Sequence, residues 1–428
     1  MPMPNDNDKN LSPDEEPEEK KYSFLQETIK PKPISRRQLA KQLIRIAVYG
    51  VILGAFACLG FFALKPWVQD RFRGDLHTVS IPEDDEPAEE ETEVQAEEEV
   101  TDPVLDAVSY EEIMTSMNER AKEASKGIAT VEPVSEAEDW ASEMTGIHSG
   151  GAGIIIADNG QELLILADSS VCADASAWKV TFQDGSSYEA SLKKRDQNSG
   201  LAVFSVVRSG IADSTWSAIK VSVLGNSNLV TQGDVVMALG NMFGYAEGVG
   251  YGTVSSTEYK ESFYDGECDI LATDIPAVSG GTGVLFNIDG EVIGMISPSI
   301  WEKDGGGVAN AYAISDLKTM IEILANGESV PYIGIRGVSV TAALEEEQGL
   351  PSGVYVVDVD PESPAMAAGI QSGDVICQVG EKKVANLVTY QSAMLEIKAG
   401  QQLTIIGQRL GSDGYVDVEF TVTVGSKE

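Results

Sequence analysis

The chain has 428 residues, room for two or three domains. It carries 68 Asp and Glu against 30 Lys and Arg, a net charge of −38, and its pI is near 4.3. That balance argues against nucleic acid as a partner, because phosphate binding needs clustered Lys and Arg.

Residues 1–45 read as a polar, Pro-bearing cytoplasmic tail, too long for the n-region of a signal peptide. Residues 46–64 are nineteen consecutive uncharged residues, IAVYGVILGAFACLGFFAL, enough to cross a bilayer as one helix. Arg36, Arg37, Lys41 and Arg45 precede the run, which favours an inside N-terminus, and Trp67 fits an interfacial anchor. With no small-x-small cleavage site after it, the run predicts a single-pass cell-membrane anchor with the folded part extracytoplasmic. Residues 65–103 predict an acidic linker: 83–102 hold twelve Asp or Glu and no base, and such a block repels itself and stays solvated. A calcium role for it lacks a spaced EF-hand loop.

Residues 104–126 predict a short amphipathic helix, with apolar positions at Leu105, Val108, Ile113 and Met117. From Gly127 to about 326 short apolar runs alternate with Gly, Asp, Asn and Ser. IATVEPV, GAGIIIAD, ELLILADSSV, WKVTFQDGSSYEASLKK and LAVFSVV form one set. AIKVSVLG, DVVMALGN, GYGTVSSTEY, DILATDI and TGVLFNIDGEVIGMISP form a second, closed by a helical SDLKTMIEILANG. The spacing and the DNG and QDG turns predict an all-β region of two six-stranded barrels. Residues 331–425 form a separate compact unit with two closing strands.

The four cysteines, Cys58, Cys172, Cys268 and Cys377, make no CxxC pair and have no histidine at ligand spacing. No metal, cofactor or cysteine nucleophile is therefore expected. The last three read as small core residues. A Cys172–Cys268 disulfide stays open, since sequence does not supply its geometry.

Two stretches resemble the HtrA/DegP family of serine proteases. YIGI at 332–335 and SPAMAAGIQSGDVICQVGEKKV at 363–384 are similar to an HtrA-type PDZ domain. The resemblance implies that Tyr332, Ile333, Gly334 and Ile335 form a carboxylate-binding loop and the start of an edge strand. The helix at about 388–397 would wall the groove, and peptide or unfolded-protein C-termini would add beside it. Ile333 and Ile335 also suit a core face. Residues 127–326 resemble the family's trypsin-type domain, through GAGIII at 151–156, LILADSSVC at 164–172, RDQNSGLAVFSV at 195–206, VVMALGNMFG at 235–244 and LATDIPAVSGGTGVLFNIDGEVIGM at 271–295. The fold expectation is mostly β: two trypsin-like barrels plus a C-terminal α+β PDZ domain, after one transmembrane helix and a disordered acidic linker.

The same alignment implies that all three catalytic positions have changed. Ser170 stands at the histidine and Gly200 at the orienting aspartate. Thr282 stands at the nucleophile when counted from Thr273–Asp274, and Gly281 does when counted back from Asn287. A hydroxyl needs a positioned base, and Ser170 cannot be one near neutral pH. His148, Lys193 and Lys194 are the substitute bases weighed, each in a loop or solvent-side context. Asp168 and Ser169 could line a polar pocket at the vacated position. The chain is expected to be a pseudoprotease that binds peptide in envelope quality control or scaffolding. Its alternatives are an active HtrA-type endopeptidase with unusual groups, and a regulatory subunit of an active paralogue. The resemblance leaves a homo-trimer or mixed oligomer open.

Overall fold

The computed structural model describes residues 77–84, 107–134, 150–173, 175–300 and 307–428. The expected tail, the apolar run 46–64, most of the acidic block, Cys58 and His148 lie outside the described residues. Among the described residues no helix is long and apolar enough to cross a membrane.

A helix at Ala107–Ser125 leads into the first barrel. Its strands are β1 (Ile128–Pro133), β2 (Gly151–Asp158), β3 (Glu162–Asp168), β4 (Trp178–Phe182), β5 (Ser187–Asp196) and β6 (Leu201–Val207), closed antiparallel in the order β1-β2-β3-β6-β5-β4. The second barrel repeats that winding with β7 (Val235–Gly240), β8 (Gly248–Phe263), β9 (Gly266–Pro276), β10 (Gly283–Asn287), β11 (Val292–Ile296) and β12 (Val308–Ala313). Strand alternation explains why the runs read as almost uniformly apolar. In β3, Leu163, Ile165 and Ala167 fill the barrel, while Leu164 and Leu166 face a second core shared with Met237, Leu239, Val284 and Phe286 of the other barrel. Strands buried on both faces keep the two barrels tightly joined.

A helix at Ile314–Ala325 closes the barrels. Residues 77–84, within the expected linker, run against it. Val79 and Asn326 exchange two hydrogen bonds of 3.0 and 2.9 Å, and Lys318 pairs with Asp84 at 2.5 Å. Val79 is apolar and buried, which suits packing better than solvation.

AIKVSVLG is not a strand of either barrel; only Leu224 makes an isolated bridge, to Val292. Its alternation runs the wrong way for a core: Val221 and Val223 are exposed and Ser222 is buried, its hydroxyl donating to Gly127 O at 2.9 Å. The sixth strand of the second barrel is β12, which the sequence reading left unassigned.

The C-terminal domain is a sheet of β13 (Ile335–Ser339), β14 (Val354–Val359), β15 (Val375–Val379), β16 (Lys382–Lys383), β17 (Gln402–Gly411) and β18 (Gly414–Thr423). Its order is β13-β14-β15-β17-β18, with β16 on β15, so β13 is an edge. Short helices at Ala342–Gln348 and Pro364–Ala368 and a capped helix at Leu387–Leu395 complete it. Cys172, Cys268 and Cys377 are unpaired; the first two sit in different cores, so the disulfide left open is not formed.

Candidate functional site

Two places carry the expected site residues: the seam between the barrels and the loop before β13.

At the seam, β3 ends at Asp168 and runs into a 3₁₀ turn, Ser169–Cys172. Asp168 caps that turn: its Oδ1 accepts the Ser170 N–H at 2.8 Å. Its Oδ2 accepts the hydroxyl of Ser297, from beyond β11 of the second barrel. Ser297 continues to Ser299 at 2.7 Å, and Ser299 to the Tyr312 hydroxyl at 3.2 Å. The buried Asp168–Ser297 bond thus crosses from one barrel to the other, and the polar chain continues within the second barrel through the exposed Ser299 to Tyr312. Burial pushes the Tyr312 phenol up to about 12.

Ser170 is exposed. Gly200 adjoins it, its carbonyl accepting the Ser169 N–H at 2.8 Å. Gly200 has φ +73, and the turn before it is held by Asp196, which accepts the Ser199 N–H at 2.9 Å and its hydroxyl at 2.6 Å. That backbone conformation favours glycine over any residue with a Cβ.

Thr282 lies across β2 from the 3₁₀ turn. It is 5% exposed, and its Oγ1 accepts the Ala152 N–H at 2.8 Å. Its carbonyl accepts the Asn241 N–H at 2.8 Å. Gly281, the other counted position, has no room for a side chain: a Cβ would stand 2.7 Å from Met242 O. Its N–H donates to Val278 O at 3.0 Å, closing a turn through Gly280 at φ +78. An N–H spent inside its own loop is not free to meet an oxyanion.

The substitute bases point elsewhere. Lys193 pairs with Glu162 at 2.5 Å and Lys194 with Glu428 at 2.6 Å. His77, the one histidine among the described residues, donates its backbone N–H to Asn159 O at 3.2 Å, at the end of β3 opposite Ser170. Two carboxylates lie in the turns around positions 170, 200 and 282, Asp168 and Asp196, and both are engaged by backbone N–H and serine hydroxyl donors. Beside the seam, a cavity of about 520 Å³ opens between the Ala107–Ser125 helix and both barrels; Ala152, Asn241, Glu132 and Lys179 are among its walls.

In the second place, Tyr332 bridges to Gly425 and its hydroxyl donates to Asp360. Ile333 and Ile335 are fully buried. Gly334, at φ +88, turns the chain so that three successive N–H groups converge. They converge on Asp265, in the turn between β8 and β9 of the second barrel. Ile333 and Gly334 donate to its Oδ2 at 2.7 Å each, Ile335 to its Oδ1 at 3.1 Å, and Tyr390 O–H to Oδ1 at 2.7 Å. Burial pushes the Asp265 carboxyl upward while the four donors oppose it. Sequence reasoning missed Asp265. The YDGE turn signal places a hairpin there but does not say which domain it faces.

Comparisons with known proteins fit this division. A trypsin-like peptidase domain pattern matches residues 151–295, and a PDZ domain pattern matches 331–423. Serine protease HTRA1 of Xenopus tropicalis is 28% identical over 294 residues, covering 64% of this chain and 60% of the relative. Periplasmic serine endoprotease DegP of Escherichia coli K12 is 28% identical over 281 residues, covering 63% and 56%. The chain therefore spans only about three fifths of these relatives' length. Among solved structures, the HtrA-type protease AlgW with a decapeptide superposes at a TM-score of 0.51 with 21% identity, covering 73% of this chain and 99% of that one. AlgW with a tripeptide gives 0.51 and 24%, covering 73% and 97%.

Proposed function

This chain belongs to the HtrA/DegP-like family, a trypsin-like peptidase domain joined to a PDZ domain, and from that premise we propose that it binds peptide without cutting it. The observation that carries the reading is the state of Thr282: buried, with its hydroxyl accepting a backbone N–H and no imidazole at position 170 to take its proton. A triad works because one imidazole removes the hydroxyl proton and a carboxylate fixes that imidazole. Ser170 and Gly200 supply neither. The peptide site is the edge strand β13 with its nest of N–H groups, walled by the Leu387–Leu395 helix. Extended peptide adds there as a further strand, its terminal carboxylate in the nest. The apolar run 46–64 anchors the chain in the cell membrane, and the folded domains serve protein quality control outside it.

The test is hydrolysis of an unfolded protein, reduced β-casein, by the full chain beside a Thr282→Ala variant. No cleavage by either protein is expected. Cleavage that disappears in the variant would make Thr282 a nucleophile and restore the endopeptidase reading that the relatives' names suggest. A change in an active paralogue's own cleavage rate when this chain is added would favour the regulatory-subunit reading.

A further inference from the structure

The nest that would receive a peptide carboxylate already holds one. Asp265 reaches it from the tip of the β8–β9 hairpin, and the hairpin copies a bound peptide in three respects. Its carboxylate takes the three N–H groups of Ile333, Gly334 and Ile335. Its backbone N–H donates to Ile335 O at 2.7 Å, the kind of bond an added strand makes to an edge strand. Its following residues lie against the opposite wall: Gln391 of the Leu387–Leu395 helix accepts the Glu267 N–H at 3.1 Å. Hairpin and peptide cannot occupy this groove together.

Among the described residues no Lys or Arg pairs with this acid; its hydrogen-bond donors there are backbone N–H groups and one tyrosine hydroxyl. Three buried N–H groups aimed at one point need an acceptor there, so when Asp265 leaves, the nest is open to another acceptor, and a carboxylate suits its convergent N–H groups. Asp265 also has φ +62, a conformation that residues with a Cβ rarely adopt, and it is this bend that turns the side chain into the nest. The neighbouring Tyr264 is held on the outside, with Arg336 and Lys427 each 4.9 Å from its ring centre and Tyr332 edge-on at 6.3 Å.

We infer that Asp265 is an internal ligand of the PDZ carboxylate site, so that peptides with a free C-terminal carboxylate bind by displacing the β8–β9 hairpin and thereby part the PDZ domain from the second barrel. This inference rests on the peptide-binding reading and adds its regulation. Apparent affinity is then the intrinsic affinity scaled by the fraction of molecules whose groove is open.

The experiment uses the full chain and two pools of fluorescein-labelled decapeptides randomised at the last four residues, one with free C-termini and one amidated. Binding is read by fluorescence anisotropy. Asp265→Ala is expected to bind the free-carboxylate pool at least tenfold more tightly than the unaltered chain, with the amidated pool ignored by both. Asp265→Asn, which keeps the side-chain volume, is expected to give a smaller rise. Equal binding by the unaltered chain and the variants would overturn the internal ligand and leave the peptide reading standing. Binding by no folded variant would remove both. Should Asp265→Ala fail to fold, the unaltered chain still answers through hydrogen exchange. Saturation with the free-carboxylate pool is expected to speed exchange at the Asp265 amide while Ile333–Ile335 stay protected. An Asp265 amide that stays equally slow would overturn the displacement.

Discussion

Asp168 of the first barrel and Ser297 of the second are hydrogen-bonded to each other across the seam, next to the turn that bears Ser170. Where the family resemblance places a catalytic imidazole, this chain has a static link between its halves. The acid is fully engaged, and Ser297 passes the chain on to Ser299 and Tyr312.

Removing one end of that link leaves a buried carboxylate oxygen without its donor. Ser297→Ala is expected to lower stability by about 1–3 kcal/mol, the cost of an unsatisfied buried polar group. Urea denaturation of the variant reads this directly. An unchanged midpoint would mean that Asp168 finds another donor.

Thr282 offers a sharper contrast, because two substitutions separate structure from chemistry. Thr282→Val removes the acceptor of the Ala152 N–H and should cost about 1–3 kcal/mol. Thr282→Ser keeps an oxygen within reach and should cost less. Neither should alter the rate of casein hydrolysis from background. Gain of cleavage in the serine variant alone would contradict the peptide-binder reading.

Gly200 adopts φ +73 with open space around its missing side chain, so a substitution there is penalised by backbone conformation rather than by a clash. Gly200→Ala should lower the thermal midpoint by an amount equivalent to roughly 1–2 kcal/mol. A neutral result would show that the Asp196 turn rearranges.

Tyr312 gives a pH signature. Burial raises its phenol to about 12, so the neutral form is favoured in the fold. The stability it contributes is complete below the unfolded value near 10, and it is lost as pH rises from there towards about 12. Tyr332 and Tyr390, also raised by burial, add to the same alkaline slope. Tyr312→Phe should make the fall in unfolding free energy above pH 10 shallower by about one proton. Equal slopes for the two proteins would show that the phenol is not desolvated in the fold.

Most strand positions were legible because runs such as GAGIIIAD and LAVFSVV are buried on both faces and end at turn residues. AIKVSVLG misled because β-branched residues suggest a strand wherever they alternate, yet here the alternation faces solvent. β12 escaped notice because VANAYA is rich in small residues that fit a tight barrel wall without announcing it. That Ser170, Gly200 and Thr282 stand at the positions the family resemblance implies for the triad could be read from the sequence alone. What replaced them could not: Ser297 lies 129 residues from Asp168, and Ile333 lies 68 from Asp265. Nothing local in Ser297 or Asp265 marks the partner that the fold delivers.

The clasp between Val79 and Asn326 also has a mechanical meaning. Tension arriving along the chain from upstream of His77 meets one backbone bond to the β2–β3 turn of the first barrel, His77 N–H to Asn159 O, and then the Ile314–Ala325 helix. Two short hydrogen bonds and the Asp84–Lys318 pair share that load. None of these contacts is a strand pair of either barrel, so residues 77–84 can peel away and re-seat without breaking a strand ladder.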